Sequence, residues 1–516
     1  MAEGTHEEQD QLPRFADVTL GHAFADELPE LAIPWQAAPT PNPRIVALNT
    51  ALAHELGLDA ERLRDDNGVA FLSGSSLALE SRPVAQLYAG HQFGAYSPVL
   101  GDGRALLLGE IHTPDGRELD LHLKGSGRTP PARGDGFAAL GPMLREYLVS
   151  EAMHALGLPT TRALAVISTG RRVRRDDFQR DDLLPGALLV RVAASHLRVG
   201  SFQFARARGD LDLLHRLVDV ALRRHYPEQA GDADPATALF RAVVRAQAQL
   251  VAGWMHVGFV HGVMNTDNVT ISGETIDYGP CAFLDVYDPK AVFSSIDHAG
   301  RYAFGAQPAI AKWNLARFGE VLLPLLSAEG RDVAFAEGIL AKFDEHFSAA
   351  WVAGMRAKLG LYASPDGVVG SLGEELLALL TEARADYTST FRLLTDAAGD
   401  STAEAGAPTT SPDPATALLD RLSGVDFHLR GRAEAWLHDW REQGPTSQSM
   451  RLANPVYVPR NHLLTEALEA ATDGDYALFF EMLDAVTHPY EARPEWQRFA
   501  QPAPPEAGRF VSYCGT

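Results

Sequence analysis

Residues 261–279 read HGVMNTDNVTISGETIDYG, and the predicted fold rests mainly on the motifs in this stretch. It places a carboxylate and a carboxamide side by side at Asp267 and Asn268, and it begins an Asp-Tyr-Gly element at Asp277. The residues between them, VTI and TI around a Ser-Gly turn, predict a short hairpin. Carboxylate and amide oxygens suit a hard cation such as Mg²⁺, with Mn²⁺ as an alternative. The stretch therefore predicts a divalent metal site at Asn268 and Asp277.

The spacing of this stretch matches the catalytic motifs of protein kinases, which carry H-R-D-x-x-x-x-N followed by D-F-G. With His261 on the histidine of the motif, Asn268 takes the place of its asparagine. The catalytic aspartate of kinases would fall at Val263, whose side chain cannot accept a proton. Either the protein is inert or another carboxylate serves as the base, and Asp267 is the candidate.

A lysine on a strand and a glutamate on the following helix form a second kinase feature. Residues 105–111 and 118–124 predict the two strands of a hairpin, and the second alternates leucines with polar residues up to Lys124. Residues 138–156 then predict a helix that carries Glu146. Two interpretations are open: Lys124 and Glu146 form an ion pair in a cleft, or both are solvated surface residues.

Several glycines and cations could bind phosphate, although no G-x-G-x-x-G cover is present. The candidates are Gly101, Gly103 and Arg104 in one turn, Asp135 and Gly136 in the glycine-rich loop 125–136, and Arg191 and Arg198. Arg191 lies in an otherwise apolar predicted strand, 186–193, where an arginine without a partner is rare. It therefore either pairs with a carboxylate in a structural role or meets a phosphate, and both interpretations are open.

The order of predicted elements divides the chain into four parts. Residues 1–95, with short helical patterns, predict an N-terminal extension packed on the main body. Residues 96–200 predict a strand-rich lobe, and residues 201–330 a helical lobe with the catalytic and metal motifs. Residues 331–516 predict a helical C-terminal region, in which 397–415 is a disordered loop because bulky apolar residues are scarce there. This order indicates an α+β, two-lobed, protein-kinase-like fold.

Composition excludes several classes of function. The formal net charge of −22 and a pI near 5.2 argue against a nucleic-acid or anionic-membrane binder. The basic run 171–175 is followed at once by two aspartates, so a solvated hairpin tip is favoured over an anion site. No apolar run approaches the ~18 residues of a membrane span, and the acidic N-terminus is unlike a secretory signal. A cytoplasmic location is therefore expected.

Longer strings resemble the selenoprotein O family, and they occur in order from about residue 30 to the end of the chain. They are YAGHQFG (88–94), LGDGRA (100–105), LHLKGSG (121–127), LREYLVSEAMHALGLPTTRAL (144–164), RVAASHLRVGSF (191–202), HGVMNTDN (261–268) with DYGP (277–280), GRYAFGAQP (300–308), WNLARF (313–318) and NPVYVPRNH (454–462). Eukaryotic relatives carry selenocysteine near the C-terminus, whereas this chain ends SYCGT and is a cysteine-containing form.

The resemblance implies a pseudokinase fold and a protein adenylyltransferase, which transfers AMP from Mg·ATP to Ser, Thr or Tyr hydroxyls of proteins and releases pyrophosphate. In that family ATP is flipped relative to kinases, so that the α-phosphorus faces the acceptor. The resemblance implies that Asp267 is the proton acceptor, that Asn268 and Asp277 bind the metal, and that Glu146 pairs with Lys124. The nucleotide-binding residues that it implies are Gly101, Gly103, Arg104, Lys124, Asp135, Gly136, Arg191, Arg198 and Asp277.

Two other functions stand beside AMP transfer. One is transfer of the γ-phosphoryl group to a protein or a small molecule, and the other is a catalytically inactive scaffold that binds ATP. Asp267 distinguishes an active enzyme from an inactive scaffold, because only a working enzyme needs a base at that position.

The two cysteines suggest a redox hypothesis. Cys281 lies four residues after Asp277, and Cys514 lies near the C-terminus. A bridge between them would tie the tail over the mouth of the active site and link activity to the redox state. The alternative is two unrelated thiols, because disulfides are uncommon in the cytosol.

Overall fold

The computed structural model describes residues 12–132, 134–174, 183–399, 413–424, 426–508 and 510–512. The strands are β1 (Arg14–Thr19), β2 (Ala32–Pro34), β3 (Arg44–Leu48), β4 (Leu77–Leu79), β5 (Val84–Gln92), β6 (Ala95–Gly101), β7 (Ala105–His112), β8 (Glu118–Lys124), β9 (Ala138–Ala139), β10 (Arg162–Arg174), β11 (Leu183–Ala193), β12 (Phe259–Val260) and β13 (Ala282–Phe283).

The α-helices are α1 (Ala23–Glu27), α2 (Thr50–Glu55), α3 (Ala60–Arg64), α4 (Asp66–Leu72), α5 (Leu140–Ala155), α6 (Val199–Ala207), α7 (Leu211–His225), α8 (Pro235–Val257), α9 (Gln307–Ala328), α10 (Val333–Leu359), α11 (Asp366–Ala383), α12 (Tyr387–Ala397), α13 (Pro414–Ser423), α14 (Phe427–Glu442), α15 (Ser447–Ala453), α16 (Asn461–Thr472), α17 (Ala477–Thr487) and α18 (Gln497–Ala500). Most strands precede residue 194 and helices dominate after it, so the predicted mixed α/β composition and its order along the chain are confirmed.

A nine-stranded antiparallel sheet forms the centre of the N-terminal part. Its strand order is β2-β5-β7-β8-β11-β10-β3, with β6 paired to β5 and β9 paired to β11. Strands β2, β3 and β5 come from residues 1–95, which the sequence analysis assigned to an extension on the main body. That segment thus supplies strands to the sheet itself. Strands β2 and β3 span only three and five residues, too few to show a clear alternation.

Strand β8 is buried on both faces. Leu121 and Leu123 lie in an apolar cluster on one face, as the alternating pattern predicts. Asp120, His122 and Lys124 lie on the other face and are only 1%, 0% and 7% exposed. Their polar groups are satisfied by partners on other elements rather than by water, as charged groups buried in a protein require.

Helix α5 is enclosed between the sheet and the C-terminal helices. It packs on β10 and β11, and α16 and α17 cover it from the other side. Twelve of its sixteen residues are buried, including Glu146. The sequence predicted this helix over 138–156, and the structure places it within that range. Packing on both sides fixes the helix, and therefore the position of Glu146.

The long helix α8 leads into the motif stretch. It packs against α9 and α10 and ends at Gly258, whose φ of 73° is the left-handed conformation typical of a helix C-terminus. The short strand β12 follows, and residues 261–279 begin directly after it. A core helix thus anchors the start of the motif stretch, residues 261–279.

The prediction of a hairpin within residues 261–279 is wrong. Thr270 forms its bridge with Arg198, and Thr275 forms its bridge with Thr160, so the two segments do not pair with each other. The backbone of Ile271 donates to the carbonyl of Leu197, and the backbone of Thr275 donates to that of Pro159. Neighbouring parts of the fold satisfy these backbone groups, which removes the reason for a local ladder.

Two predicted features fall partly on residues that are not described. The end of the basic run, residue 175, and most of the loop 397–415, namely residues 400–412, lie outside the described residues. The rest of the basic run belongs to β10, where Val173 is buried and its neighbours Arg172 and Arg174 are exposed. Among the helices in the described ranges, none is long and apolar enough to cross a membrane.

Candidate active site

A lysine and a glutamate meet at the centre of the sheet. Lys124 is the last residue of β8, and its Nζ lies 2.6 Å from Glu146 Oε2 on α5. Arg191 stands on the neighbouring strand β11, paired in register with His122, and its Nη1 donates to Glu146 Oε1 at 3.2 Å. The interpretation of Lys124 and Glu146 as an ion pair in the interior, rather than two solvated residues, agrees with this geometry.

Asp277 accepts hydrogen bonds from three cations. Lys124 Nζ lies 2.6 Å and Arg191 Nη1 2.7 Å from its Oδ1, and Arg198 Nη1 lies 3.1 Å from its Oδ2. Burial by itself would raise the pKa of this carboxyl, but Lys124, Arg191 and Arg198 hold it well below the ordinary value of 3.8. Three cations therefore contact two carboxylates, those of Asp277 and Glu146.

The carboxylate of Asp267 lies beside this cluster and is poorly satisfied. Its Oδ2 accepts from Gln92 Nε2 at 3.3 Å, whereas its Oδ1 is buried and has no hydrogen-bond partner among the described residues. Burial raises its pKa to about 6, although Arg198 opposes the shift. A buried carboxyl with a pKa near neutrality suits a general base, because it is ionised and still basic at neutral pH.

Asn268 is fixed by one of its two amide functions. Its Nδ2 donates to the carbonyl oxygen of Val263 at 2.9 Å, which leaves the side-chain oxygen as its outward acceptor. Val263, the residue that the motif alignment predicts at the position of the kinase aspartate, is buried in the main core cluster. Its side chain contributes to packing, and its carbonyl oxygen anchors Asn268.

The β5–β6 hairpin folds over the loop that contains Asp267. The backbone of His91 donates to Thr266 Oγ1 at 2.7 Å, and the backbone of Phe93 donates to Asn265 Oδ1 at 3.0 Å. A Cβ atom at Gly90 would come within 2.7 Å of Asp267 Oδ1, so only glycine fits there without a shift. The hairpin thus excludes water from one side of the carboxylate and explains its burial.

The predicted phosphate turn and the glycine-rich loop pack against each other. The carbonyl of Arg104 accepts from the backbone of Gly125 at 2.7 Å, and Ala105 is paired in register with Lys124. Gly136 has a φ of 75°, and a Cβ there would lie 2.2 Å from the backbone of Gly127. The remaining predicted positions belong to the same two segments: Gly101 and Gly103 in the turn, and Asp135, which accepts from the backbone of Phe137, in the loop.

Comparison with known proteins identifies the family to which the chain belongs. The family model described as "Protein adenylyltransferase SelO" matches residues 15–487.

The chain belongs to the SelO family.

Three relatives are similar to this chain over nearly their whole length. A protein of Mycobacterium sp. (strain KMS) named "Protein nucleotidyltransferase YdiU" is 56% identical over 503 residues, covering 97% of this chain and 100% of the relative. Proteins of the same name from Pseudarthrobacter chlorophenolicus and Cereibacter sphaeroides (strain ATCC 17025) are 54% and 51% identical, over 97% and 96% of this chain and 98% and 99% of theirs. The resemblance found in the sequence is confirmed, and this SelO-family chain is a nucleotidyltransferase enzyme.

Residues that the sequence analysis left without a role line the same site. Tyr88 lies under Arg198, with the guanidinium carbon 4.7 Å from the ring centroid, and Gln92 is the hydrogen-bond donor to Asp267. Both belong to the string YAGHQFG, which indicated the SelO family without indicating a function. Their alternation along β5, with Gly90 between them, is the signal that places all three on one face.

A buried Asp-His pair supports Arg191 from behind. Asp102 Oδ2 lies 3.0 Å from His122 Nε2 and accepts from the backbone of Gln86, and His122 Nδ1 lies 3.5 Å from Arg191 Nη2. Burial lowers the pKa of His122, although Asp102 opposes the shift, so the ring is neutral at neutral pH. Asp102 belongs to the turn that carries Gly101 and Arg104, so the pair connects this turn to Arg191.

The structure describes one of the two cysteines of the redox hypothesis. Cys281 is buried, its thiol donates to the carbonyl of Tyr278, and burial raises its pKa to about 11. Cys514 lies outside the described residues. The last described residue of the tail, Ser512, donates its backbone N–H to Phe293 and its hydroxyl to the carbonyl of Gly279. The tail therefore reaches the Asp-Tyr-Gly element, and the bridge remains a prediction.

Proposed function

We propose that this SelO-family enzyme transfers AMP from ATP to Ser, Thr or Tyr hydroxyls of proteins and releases pyrophosphate. The observation that carries the proposal is the position of two unlike carboxylates in one site. Asp277 is surrounded by Lys124, Arg191 and Arg198, whereas Asp267 has a buried oxygen without a partner among the described residues. The first arrangement suits phosphate and metal, and the second suits a base.

The nucleotide would be held mainly by charge. Phosphoryl and nucleotidyl transfer need cations on the phosphate oxygens more than they need covalent help. Lys124, Arg191 and Arg198 supply those cations, and all three lie within reach of the carboxylates of Glu146 or Asp277 at the centre of the site. The backbone of the Gly101–Arg104 turn and of the loop with Asp135 and Gly136 would complete the site, because glycine permits close approach to phosphate.

The donors at the centre of the site fit a divalent cation. Asn268 offers an amide oxygen because its Nδ2 is already engaged by Val263, and Asp277 offers a carboxylate of low pKa. Both are hard oxygen donors, which suit Mg²⁺ and also Mn²⁺. When bound, the ion would neutralise charge on the phosphates and on the leaving pyrophosphate.

Asp267 would act on the acceptor. The hydroxyl oxygen attacks the α-phosphorus, the bond between that phosphorus and the bridging oxygen to the β-phosphorus breaks, and the hydroxyl proton passes to the carboxylate of Asp267. Oδ1, which is buried and has no hydrogen-bond partner among the described residues, would accept this proton. Lys124, Arg191 and Arg198 would stabilise the negative charge that develops on the pyrophosphate.

The fold that we propose for this chemistry is two-lobed and kinase-like. Its support is the strand lysine bonded to a helix glutamate, and the succession of motif loop and Asp-Tyr-Gly element after a long helix. We propose the division of the chain as 1–95 extension, 96–200 strand-rich lobe, 201–330 helical lobe and 331–516 C-terminal region, with the sheet shared across the first boundary. We also propose a cytoplasmic location, in line with the acidic composition.

Parallel incubations with α-labelled and γ-labelled ATP test the proposal. Purified protein, Mg²⁺ and a mixture of acceptor proteins should give label on protein from α-labelled ATP only, and EDTA should abolish it. Label from γ-labelled ATP alone would identify a phosphotransferase and overturn the proposal. Asp267→Ala is the inactive control. Arg432→Ala removes an ion pair with Glu382 at the protein surface, so it should keep full activity and serves as the matched control.

A further inference from the structure

Two segments that resemble the SelO family but take no part in the nucleotide site, residues 300–308 and 313–318, lie near the loop that contains Asp267. Arg301, from GRYAFGAQP, lies over the ring of Trp313, from WNLARF, with the guanidinium carbon 4.7 Å from the centroid. The tip of the β5–β6 hairpin meets them, because a Cβ atom at Gly94 would lie 3.7 Å from that same carbon. The rings of Tyr96 and Trp313 both contact the ring of His91, with centroids 4.9 and 5.4 Å from its centroid. We call Phe93, Tyr96, Arg301 and Trp313 the acceptor platform.

The acceptor platform is tied to the loop that holds the proposed base. Asn265, two residues before Asp267, accepts through Oδ1 from the hydroxyl of Tyr302 at 2.7 Å and from the backbone of Phe93 at 3.0 Å. The rings of Phe93 and Tyr302 meet edge to face at 5.1 Å. Movement of the platform relative to Asp267 would break these contacts, so a group bound on the platform has a fixed position relative to the base.

Arg301 carries the charge of the platform, and no described carboxylate pairs with its guanidinium. Arg317 also contacts the ring of Trp313, but its guanidinium is paired with the carboxylate of Glu320 at 2.7 Å. Arg301 forms no ion pair with any described residue, and its Nε is buried without a hydrogen-bond partner. Burial lowers the pKa of the adjacent His91, so that ring adds no charge at neutral pH. A half-buried guanidinium in this state gains most from an anion that brings its own hydrogen-bond acceptors.

The exposed rings of the platform offer contact to a polypeptide. Phe93 and Tyr96 are 38% and 43% exposed, although large aromatic side chains usually bury most of their surface. Aromatic rings beside an arginine are the residue types that dominate binding energy in protein interfaces. The platform therefore suits a segment of protein that carries an acidic side chain.

We propose that Arg301, held on Trp313, binds an Asp or Glu carboxylate of the acceptor protein next to the hydroxyl that receives AMP. The enzyme would then select hydroxyls flanked by acidic residues. This inference rests on the proposed function, since it assigns the acceptor of the same site. It adds a selection that neither the phosphate cluster nor Asp267 can supply.

Fluorescent peptides with a single hydroxyl acceptor test the inference. One series carries Asp in turn at each position around the acceptor, and a matched series carries Asn. For wild type, kcat/KM for AMP transfer should be higher with Asp at one or two positions. Arg301→Ala should lower kcat/KM for those peptides roughly ten- to hundredfold, the range for a lost hydrogen bond to a charged group. It should leave the Asn peptides and the KM for ATP unchanged.

Further variants separate charge from folding. Arg301→Lys should keep part of the preference for Asp, and Arg301→Glu should shift the preference to peptides with Lys at the same position. Arg432→Ala should behave as wild type. Equal rates for the Asp and Asn series in wild type would overturn the inference. So would a rise in the KM for ATP in Arg301→Ala without a change for the peptides, since it would place Arg301 on the nucleotide.

Peptide binding, measured by fluorescence anisotropy without nucleotide, distinguishes this inference from the proposed function. If no peptide receives AMP but Asp peptides bind more tightly than Asn peptides, and Arg301→Ala removes the difference, the inference stands and AMP transfer to such acceptors does not. If binding shows no dependence on the acidic residue, the inference is wrong whatever the outcome of the α-labelled ATP experiment.

Discussion

Asp267→Asn should stabilise the protein while it removes activity. Burial raises the pKa of this carboxyl from 3.8 to about 6, against the opposing effect of Arg198. A difference of this size between the folded and unfolded states corresponds to about 3 kcal/mol of stability lost when the group is ionised. Asparagine keeps the shape and one acceptor for Gln92, and it carries no charge to be buried.

The size of the effect depends on pH. The folded protein holds this proton more tightly than the unfolded chain, so its contribution to stability is complete below the ordinary pKa of 3.8 and is lost as the pH rises through about 6. The asparagine variant has no such loss. Its free energy of unfolding should exceed that of wild type by about 3 kcal/mol at pH 8 and by about half of that at pH 5.

Urea unfolding and thermal melts without nucleotide or divalent ions measure this difference. For a chain of this length, 3 kcal/mol corresponds to a rise in Tm of about 3 °C. A variant that is less stable than wild type at pH 8, or whose advantage does not shrink at pH 5, would refute the assignment of a strained, buried carboxylate. A substitution elsewhere on the surface, Arg432→Ala, should show neither change.

The same group should control the rate. Wild-type AMP transfer should rise about tenfold per pH unit below pH 6 and level off above it, because the ionised form of Asp267 accepts the proton. Asp267→Asn should lower kcat by about a hundredfold or more at every pH, the usual effect of removing a general base. A wild-type profile that is flat between pH 5 and pH 8 would show that another group is the base.

Three further predictions follow from neighbouring residues. Glu146→Gln removes the carboxylate that binds two of the three cations, so the KM for ATP should rise about tenfold; an unchanged KM would separate the pair from nucleotide binding. Asp102→Asn removes the partner of His122, so kcat/KM for ATP should fall about tenfold with no change in KM for the acceptor, and a change in the acceptor KM alone would contradict this. Reductant should alter the activity of wild type but not of Cys514→Ser if Cys281 and Cys514 form a bridge, and equal activities in all four conditions would exclude it.

Local patterns were sufficient for the residues that lie close together along the chain. The alternation of β8 predicted Lys124 on a polar face, and the helical spacing after it predicted Glu146 on the next element. The spacing of Asp267, Asn268 and Asp277 predicted a single site, because it matches the catalytic-loop and D-F-G motifs of protein kinases. The hairpin predicted inside that stretch failed because its backbone groups found partners elsewhere in the fold.

Contacts between distant segments were beyond the sequence. Gln92 and Asp267 are separated by 175 positions, and Arg301 is separated from Gly94 by more than two hundred. No local periodicity reports which strand of a sheet will lie over which loop, since several arrangements satisfy the same alternation.

From the sequence alone we predicted the residue types of the proposed SelO-family site: the oxygens that would bind a metal, the cations that would bind phosphate, and the aspartate that would act as a base. The tertiary structure decided the ionisation of those groups. Asp267 and Asp277 are the same residue type, yet one has a raised pKa and the other a lowered pKa. Burial with only Arg198 nearby to oppose it destabilises the carboxylate of Asp267, whereas hydrogen bonds from three cations stabilise that of Asp277. Only the folded chain determines which carboxylate has which neighbours.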